Sequence, residues 1–292
     1  MAVVLWGAIY PAAKIALHDI PVVDFIFLRV FIAAAILFVL AGPPRRFVPP
    51  RALWPAVAFA GVAQIASQTL LHAGIRFTTA GIAALLLATS PLLSGTWSAL
   101  FWRVHLAGRQ WFGLLAGLLG IVFVIGPGGP TFDGAHVLGD MLSLGAAAVW
   151  VLYSTFIGPL VGALGTIRAT AWSMIVSVSL FTPFAVLPLE HVEWSGVSWQ
   201  AWAGLFYSAI VGQVVAMVLW GRSIHSLGVH QAMVYMYLEP ISAVVIAAAL
   251  LGESLSSIQV GGAVLTFAGM WWASGRSISL QSGARQRRTN ER

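Results

Sequence analysis

Residues 24–41 read DFIFLRVFIAAAILFVLA. After Asp24, the only charge in this stretch is Arg29. Apolar side chains fill odd and even positions alike, so the period-two alternation of a membrane β-barrel strand is missing. A run of this length suits a helix instead, because a bilayer core about 30 Å thick takes about 20 apolar residues per crossing.

Working outward, the same texture recurs across the 292 residues. Breakers and charges delimit ten apolar stretches, at 2–17, 24–41, 54–74, 80–102, 110–126, 137–157, 169–189, 199–221, 230–251 and 257–275. The expected fold class is therefore an all-α integral membrane protein with ten transmembrane helices. Composition agrees. Only 8% of residues are charged and 59% are hydrophobic, with a mean hydropathy of +0.90. That is too little charge to coat a water-soluble domain, which carries about 25%, and too much apolar content for disorder. The chain has no cysteine, which excludes disulfides, thiol chemistry and cysteine-ligated metals.

Charge placement sets the orientation. Arg45, Arg46, Arg51, Arg103, Arg109, Arg168 and Arg222 fall in connections on one side. The basic tail 276–292 joins them there. The other side holds Arg76 with Asp19, Asp24, Asp133, Glu190, Glu193 and Glu253. The positive-inside rule then puts both termini in the cytoplasm, which requires an even number of spans. The same rule explains the net charge of +6, so no nucleic-acid partner is expected. Arg285–Arg288 reads as a solvated tail rather than a lipid-binding cluster. The chain starts at Met1 already inside its first apolar run, without a charged n-region or cleavage site, so this is not a signal peptide. The expectation is that the natural N-terminus is a few residues longer.

Sliding the chain against itself by 149 residues aligns Gln64 with Gln213, Pro91 with Pro240, and Gln110 with Gln259. It also aligns Gly113 with Gly262, Gly120 with Gly269 and Gly126 with Gly275. Apolar composition alone makes chance matches common, but Gln, Pro and spaced Gly are uncommon choices here. Spans three to five thus read as a copy of spans eight to ten. Gly126-Pro127-Gly128-Gly129-Pro130 breaks the chain between the copies. Five helices per half is odd, so the halves sit upside down to each other. The expected organisation is two inverted five-helix repeats, 1–126 and 137–275, followed by the tail. Inverted repeats mark transporters with a substrate site near the midplane.

Polar side chains at membrane depth are costly, at about 2.5–3.5 kcal/mol for an ionised group, and mark cavities or partners. Gln64, Gln68 and His72 recur every four residues and share one face of span three; Gln213 repeats Gln64 in span eight. They read equally well as cavity lining or as interhelical hydrogen bonding. Glu239, before Pro240, lies near the midplane, as a proton site, a partner for a substrate amine, or a group tied to a neighbouring helix. Tyr235 and Tyr237 flank it on opposite sides. Ser90-Pro91 is its counterpart, and a proline inside a span frees a carbonyl and kinks the helix. Lys14 can snorkel outward, while Arg29 has Asp19 and Asp24 as expected partners. Trp6, Tyr10, Trp150 and Tyr153 supply aromatic surface, read first as packing. Trp54, Trp102, Trp194 and Trp199 read as interfacial anchors. The substrate-cavity candidates are therefore Gln64, Gln68, His72, Tyr153, Gln213, Tyr237 and Glu239, with Pro91, Pro240, Lys14 and Arg29 as structural or gating candidates.

The chain resembles the EamA-type members of the drug/metabolite transporter superfamily. The residues carrying the resemblance are Trp6-Gly7, Lys14 and Arg29, then Thr79-Ala80-Gly81 and Ser90-Pro91. In the second half they are Trp150, Tyr153, Leu238-Glu239-Pro240, Leu251-Gly252-Glu253, Gln259, Gly262 and Gly269. One departure is Val104, between Arg103 and His105, where the family often has an acidic counterpart of Glu253. The resemblance implies a secondary transporter in the bacterial cytoplasmic membrane that exports amino acids or related metabolites by alternating access. Its partners would be a small-molecule substrate and the lipid bilayer; a homodimer is one further partner the sequence allows. Neither cofactor nor metal is expected. There is no nucleotide-binding loop of the Gly-x4-Gly-Lys type, so any driving energy must come from a gradient. An intramembrane enzyme is the competing reading. It would need a nucleophile–base pair or a metal cluster, whereas the ionisable residues here are scattered singly; His225 and His230, five apart, are a weak metal arrangement. A structural or regulatory membrane protein is the third reading.

Overall fold

The structure, a computed structural model, describes residues 1–42, 48–78, 80–101, 106–125, 134–189, 193–251 and 256–274. Arg45, Arg46, Thr79, Trp102, Arg103, Val104, His105, the 126–130 break, Asp133, Glu190, Gly252, Glu253 and the tail lie outside them, as do the side chains of Tyr10, Lys14, Ala80, Gly81 and Leu251. The described elements are all helical. The first half contains α1 (Ala2–Gly7), α2 (Ile9–Asp19), α3 (Val22–Leu40), α4 (Trp54–Ile75), α5 (Ala80–Leu87), α6 (Ser90–Phe101) and α7 (Gly108–Ile125). The second contains α8 (Gly134–Leu164), α9 (Thr166–Leu189), α10 (Trp199–Phe206), α11 (Ala216–Leu227), α12 (Val229–Val234), α13 (Leu238–Leu251) and α14 (Ser257–Ala273). A π-helix, Tyr207–Val215, makes α10 and α11 continuous, and a 3-10 turn, Tyr235–Tyr237, does the same for α12 and α13.

Among the described residues seven helical runs are long and apolar enough to cross a membrane, and they coincide with expected spans two to six, eight and nine. Helices α1–α2, α9 and α14 occupy the positions of spans one, seven and ten without adding to that seven. Large apolar side chains such as Leu100, Phe112, Phe184, Val264 and Trp271 point outward from several helices, as a lipid-facing surface requires. One boundary differs from the sequence reading. Span six is expected to end at 157, yet α8 carries Pro159 inside it and continues to Leu164. The chain reverses only at Gly165, whose φ of +79° suits glycine.

The helices pack in paired fashion. α4 lies along α8, and α10 lies along α2. α1 contacts α13, while α5 and α6 contact α8. α3 packs on α9, and α7 on α14. The α7–α14 contact is reciprocal in detail. Gln110 accepts from the Ala107 N–H at 3.0 Å and donates to the Ala273 carbonyl at 3.4 Å. Gln259 accepts from the Ser256 N–H at 3.0 Å and donates to the Val124 carbonyl at 3.3 Å. Every one of these partners is displaced by 149 residues from its counterpart. Each glutamine satisfies its own helix's first turn and the far end of the other helix, where backbone groups lack intrahelical partners.

The proline breaks follow from the missing N–H. Pro91 cannot donate to the Leu87 carbonyl, and the hydroxyl of Ser90 donates to it instead at 2.6 Å. The matching position in the second half is the 3-10 turn ahead of Glu239-Pro240.

Two polar contacts tie helix ends. Arg168 Nε donates to the Ala41 carbonyl at 3.3 Å, a cation at the C-terminus of α3. At the opposite end, Asp19 accepts from the backbone N–H of Ser198 at 2.9 Å, from the Ser198 hydroxyl, and from His18 Nδ1 at 2.7 Å. Ser198 caps α10, so the carboxylate gains from the positive end of that helix. These bonds, first that from His18 and then those from Ser198, hold the Asp19 carboxyl down at about 2 from an ordinary 3.8. A depressed carboxyl contributes stability above its unfolded value and loses it as pH falls through the folded value. Asp19→Asn is therefore expected to melt below wild type near neutral pH. The gap should close between about pH 4 and about pH 2; a gap constant across that window would remove the carboxylate's role.

Candidate functional site

A cavity of about 820 Å³ lies between the two groups of helices. Its mouth is at the Asp19 end, where the well-exposed His18 lines it together with Leu17, Ile75 and Ile125. The floor is Trp6 from α1, Trp150 from α8, Met217 from α11 and Met236 from the 3-10 turn. The walls carry Arg29 from α3, Ser67, Gln68, Leu71 and His72 from α4, Leu87 from α5, Gln213 from the π-helix and Glu239 from α13. An apolar pocket with a few converging polar groups is the usual form of a small-molecule site.

The floor is an aromatic partition. Trp6 meets Trp150 edge-on with centroids 5.3 Å apart, and Trp220 lies 5.4 Å from Trp6 and 6.0 Å from Trp150. Trp6 donates to the Gly212 carbonyl at 3.0 Å inside the π-helix, where i→i+5 bonding disturbs the normal ladder. Trp220 donates to the Ser154 hydroxyl at 3.1 Å. On its far side Trp220 lines a second pocket of about 180 Å³ with Met1, Ala2, Val3 and Ser223. Three tryptophans therefore separate the large cavity from a smaller one at the opposite end.

Of the substrate-cavity and gating candidates named from sequence, Gln68, His72, Gln213, Glu239 and Arg29 face this cavity. Gln64, Tyr153 and Tyr237 do not line it. Gln64 is one turn, about 6 Å, deeper than Gln68, and there α9 covers the face: Ser173 donates to Gln64 Oε1 at 3.0 Å. Tyr153 is buried behind Trp150, rings stacked at 5.0 Å. Tyr237 donates to the Leu114 carbonyl at 2.7 Å and ties the 3-10 turn to α7. Tyr235, on the other side, is exposed near the smaller pocket. Pro91 and Pro240 are buried at their helix breaks. Lys14 sits within α2, its side chain outside the described residues.

Arg29 is the main correction. Its expected carboxylates are not its partners: Nη1 lies 3.0 Å from His72 Nε2. Asp24 is five residues earlier on the helix, about 140° around its axis, and points away. The sequence reading also left out Leu71, Leu87, Met217 and Met236, for which a signal existed. Adding 149 to Gln68 and Leu87 gives Met217 and Met236, and all four line the cavity. Among the described residues no group of three His, Asp or Glu side chains is placed to hold a metal.

The EamA-like transporter family matches residues 1–126 and 137–275. The chain belongs to the EamA-like transporter family. It is 25% identical over 285 residues to a probable terminal-alkyne amino-acid exporter of Streptantibioticus cattleyicolor, covering 97% of this chain and 94% of that one. It is 27% identical over 286 residues to a probable amino-acid metabolite efflux pump of Escherichia coli K12, covering 93% and 91%. A solved crystal structure superposes with a TM-score of 0.78 at 18% identity, over 94% of each chain, and so shares the fold. The EamA-like family is a transporter family, and the described spans fit a multi-pass membrane protein.

Proposed function

We propose that the chain is a secondary transporter that exports amino acids or related small metabolites across the cytoplasmic membrane by alternating access. The observation that carries this reading is the 820 Å³ cavity, open at the Asp19 end and closed at the other by Trp6, Trp150 and Trp220. A site reachable from one face at a time is what alternating access requires. The names of the relatives support the substrate class and the outward direction.

With both termini cytoplasmic, the Asp19 end faces outward and the cavity is outward-open. Two inverted five-helix repeats account for the paired packing. Exchanging the halves turns the α4–α8 contact into α10 with α2, and maps the Gln110 bonds onto those of Gln259. Ten crossings follow if α1–α2, α9 and α14 also span.

The test is a metabolite comparison between cells that overproduce the chain and cells that lack it, followed by flux in proteoliposomes. Amino acids or close relatives should accumulate outside the overproducing cells, and the purified protein should move the same compounds. Unchanged metabolites together with no flux of any amino acid would overturn the proposal.

A further inference from the structure

Arg29 is 3% exposed and stands in the cavity wall. The hydrogen atoms around it can be placed by elimination. His72 Nδ1 lies 2.7 Å from the carbonyl oxygen of Gln68, which can only accept. Nδ1 therefore carries a proton. Arg29 Nη1, which can only donate, lies 3.0 Å from Nε2, so Nε2 is the acceptor. His72 is then a neutral ring with both nitrogens engaged, and it does not cancel the charge of Arg29.

Among the described residues no carboxylate pairs with it. Glu239 stands in the same cavity wall and has an interaction of its own. Phe25 lies under the guanidinium at 5.5 Å and provides only a ring face. Arg29 Nε is buried and finds no protein partner. A cation held at this depth costs several kcal/mol unless it meets an anion or water, and the cavity is where one can reach it. The guanidinium is also a rigid planar fork, shaped for two parallel bonds to a carboxylate. Below it, Trp6, Trp150, Met217 and Met236 form an apolar and aromatic floor.

We propose that Arg29 is the carboxylate anchor of the transported solute, fixed in orientation by His72, and that the site selects monocarboxylates with a compact apolar body. The inference rests on the transporter reading above for the word "transported" and on the geometry alone for the binding. In that arrangement Gln68 sets the histidine tautomer through its backbone, and His72 is a positioning residue.

Three probes of one carbon skeleton separate the contributions. L-Leucine carries both charges, 4-methylpentanoate only the carboxylate, and L-leucinamide only the amine. Each is titrated against purified protein in detergent, and affinity is read from the ligand-induced rise in melting temperature. L-Leucine and 4-methylpentanoate should bind, with L-leucinamide weaker by at least about tenfold. Arg29→Gln should weaken both carboxylates by at least about tenfold and leave L-leucinamide unchanged; Arg29→Lys, keeping charge without the fork, should fall between. The wild-type comparison needs no variant to fold. L-Leucinamide binding as tightly as L-leucine overturns the proposal, as does an unchanged L-leucine affinity in Arg29→Gln. If neither carboxylate binds while proteoliposomes move some other metabolite, the anchor is wrong and the transporter reading stands. If both bind through Arg29 yet no compound is moved, the transporter reading fails and the anchor stands.

Discussion

Gly269→Val is expected to yield little or no folded protein, while Gly261→Val in the same helix stays near wild type. A Cβ on Gly269 would lie 2.4 Å from the Gly117 nitrogen and 2.6 Å from the Gly113 carbonyl oxygen. Both are backbone atoms of α7 and cannot rotate aside. Gly113 faces the reverse problem, with Ala273 N at 2.5 Å and Gly269 O at 2.6 Å. Relief therefore requires moving α14 away from α7 as a body. That loses the Gln110–Ala273, Gln259–Val124 and Thr266–Gly117 bonds together. Overpacking against movable side chains costs about 1–3 kcal/mol; against backbone the cost should be about 3 kcal/mol or more. Gly261 has open space where its Cβ would be, so it controls for the effect of valine in this helix. Detergent-extracted yield, monodispersity and melting temperature decide the matter. A wild-type melting temperature for Gly269→Val would mean that α7 and α14 do not approach as described.

This contact is also where the sequence was most informative. Glutamine and spaced glycines are rare enough in an apolar chain that their recurrence at 149 residues stood out. They recur because two backbones in contact admit no side chain, and because two helix ends need the same amide. Legibility faded where covering helices decide the outcome. Gln64, Gln68 and His72 share a face, yet α9 covers that face at Gln64 and leaves it open at the other two. Periodicity reports direction around a helix and says nothing about depth. The partner of Arg29 was hidden for a related reason. A carboxylate near in sequence is the natural counter-charge to expect, while His72, 43 residues away, comes within reach only once α3 and α4 are placed. Pro159 lies just past the expected end of span six. It does remove a hydrogen bond, but α8 continues through it.

A bulky thiol reagent placed on Leu71 is expected to abolish flux, and the reason lies in the aromatic partition. The closed end is built from Met217, Trp220 and Met236 around Trp6 and Trp150. Subtracting 149 gives Gln68, Leu71 and Leu87, and these three now line the open cavity. If the halves exchange conformations, the opposite state closes the Asp19 end by packing Gln68, Leu71 and Leu87 against the same tryptophan pair, and Trp220 opens. Leu71 must then enter a contact as tight as the one Trp220 makes at 5.4 Å from Trp6. An adduct there blocks closure, and without closure there is no turnover. The chain contains no cysteine, so Leu71→Cys carries a single thiol without further changes. A membrane-impermeant maleimide should label it from the Asp19 side and reduce flux to background. Ser223→Cys, in the smaller pocket behind the partition, should react only from the opposite side. Leu115→Cys, on the exposed face of α7, should keep its flux whether or not it is modified. Full labelling of Leu71→Cys with unchanged flux would mean that the Asp19 end need not close there. Labelling of Ser223→Cys from the Asp19 side in the resting protein would mean that the three tryptophans do not seal the floor.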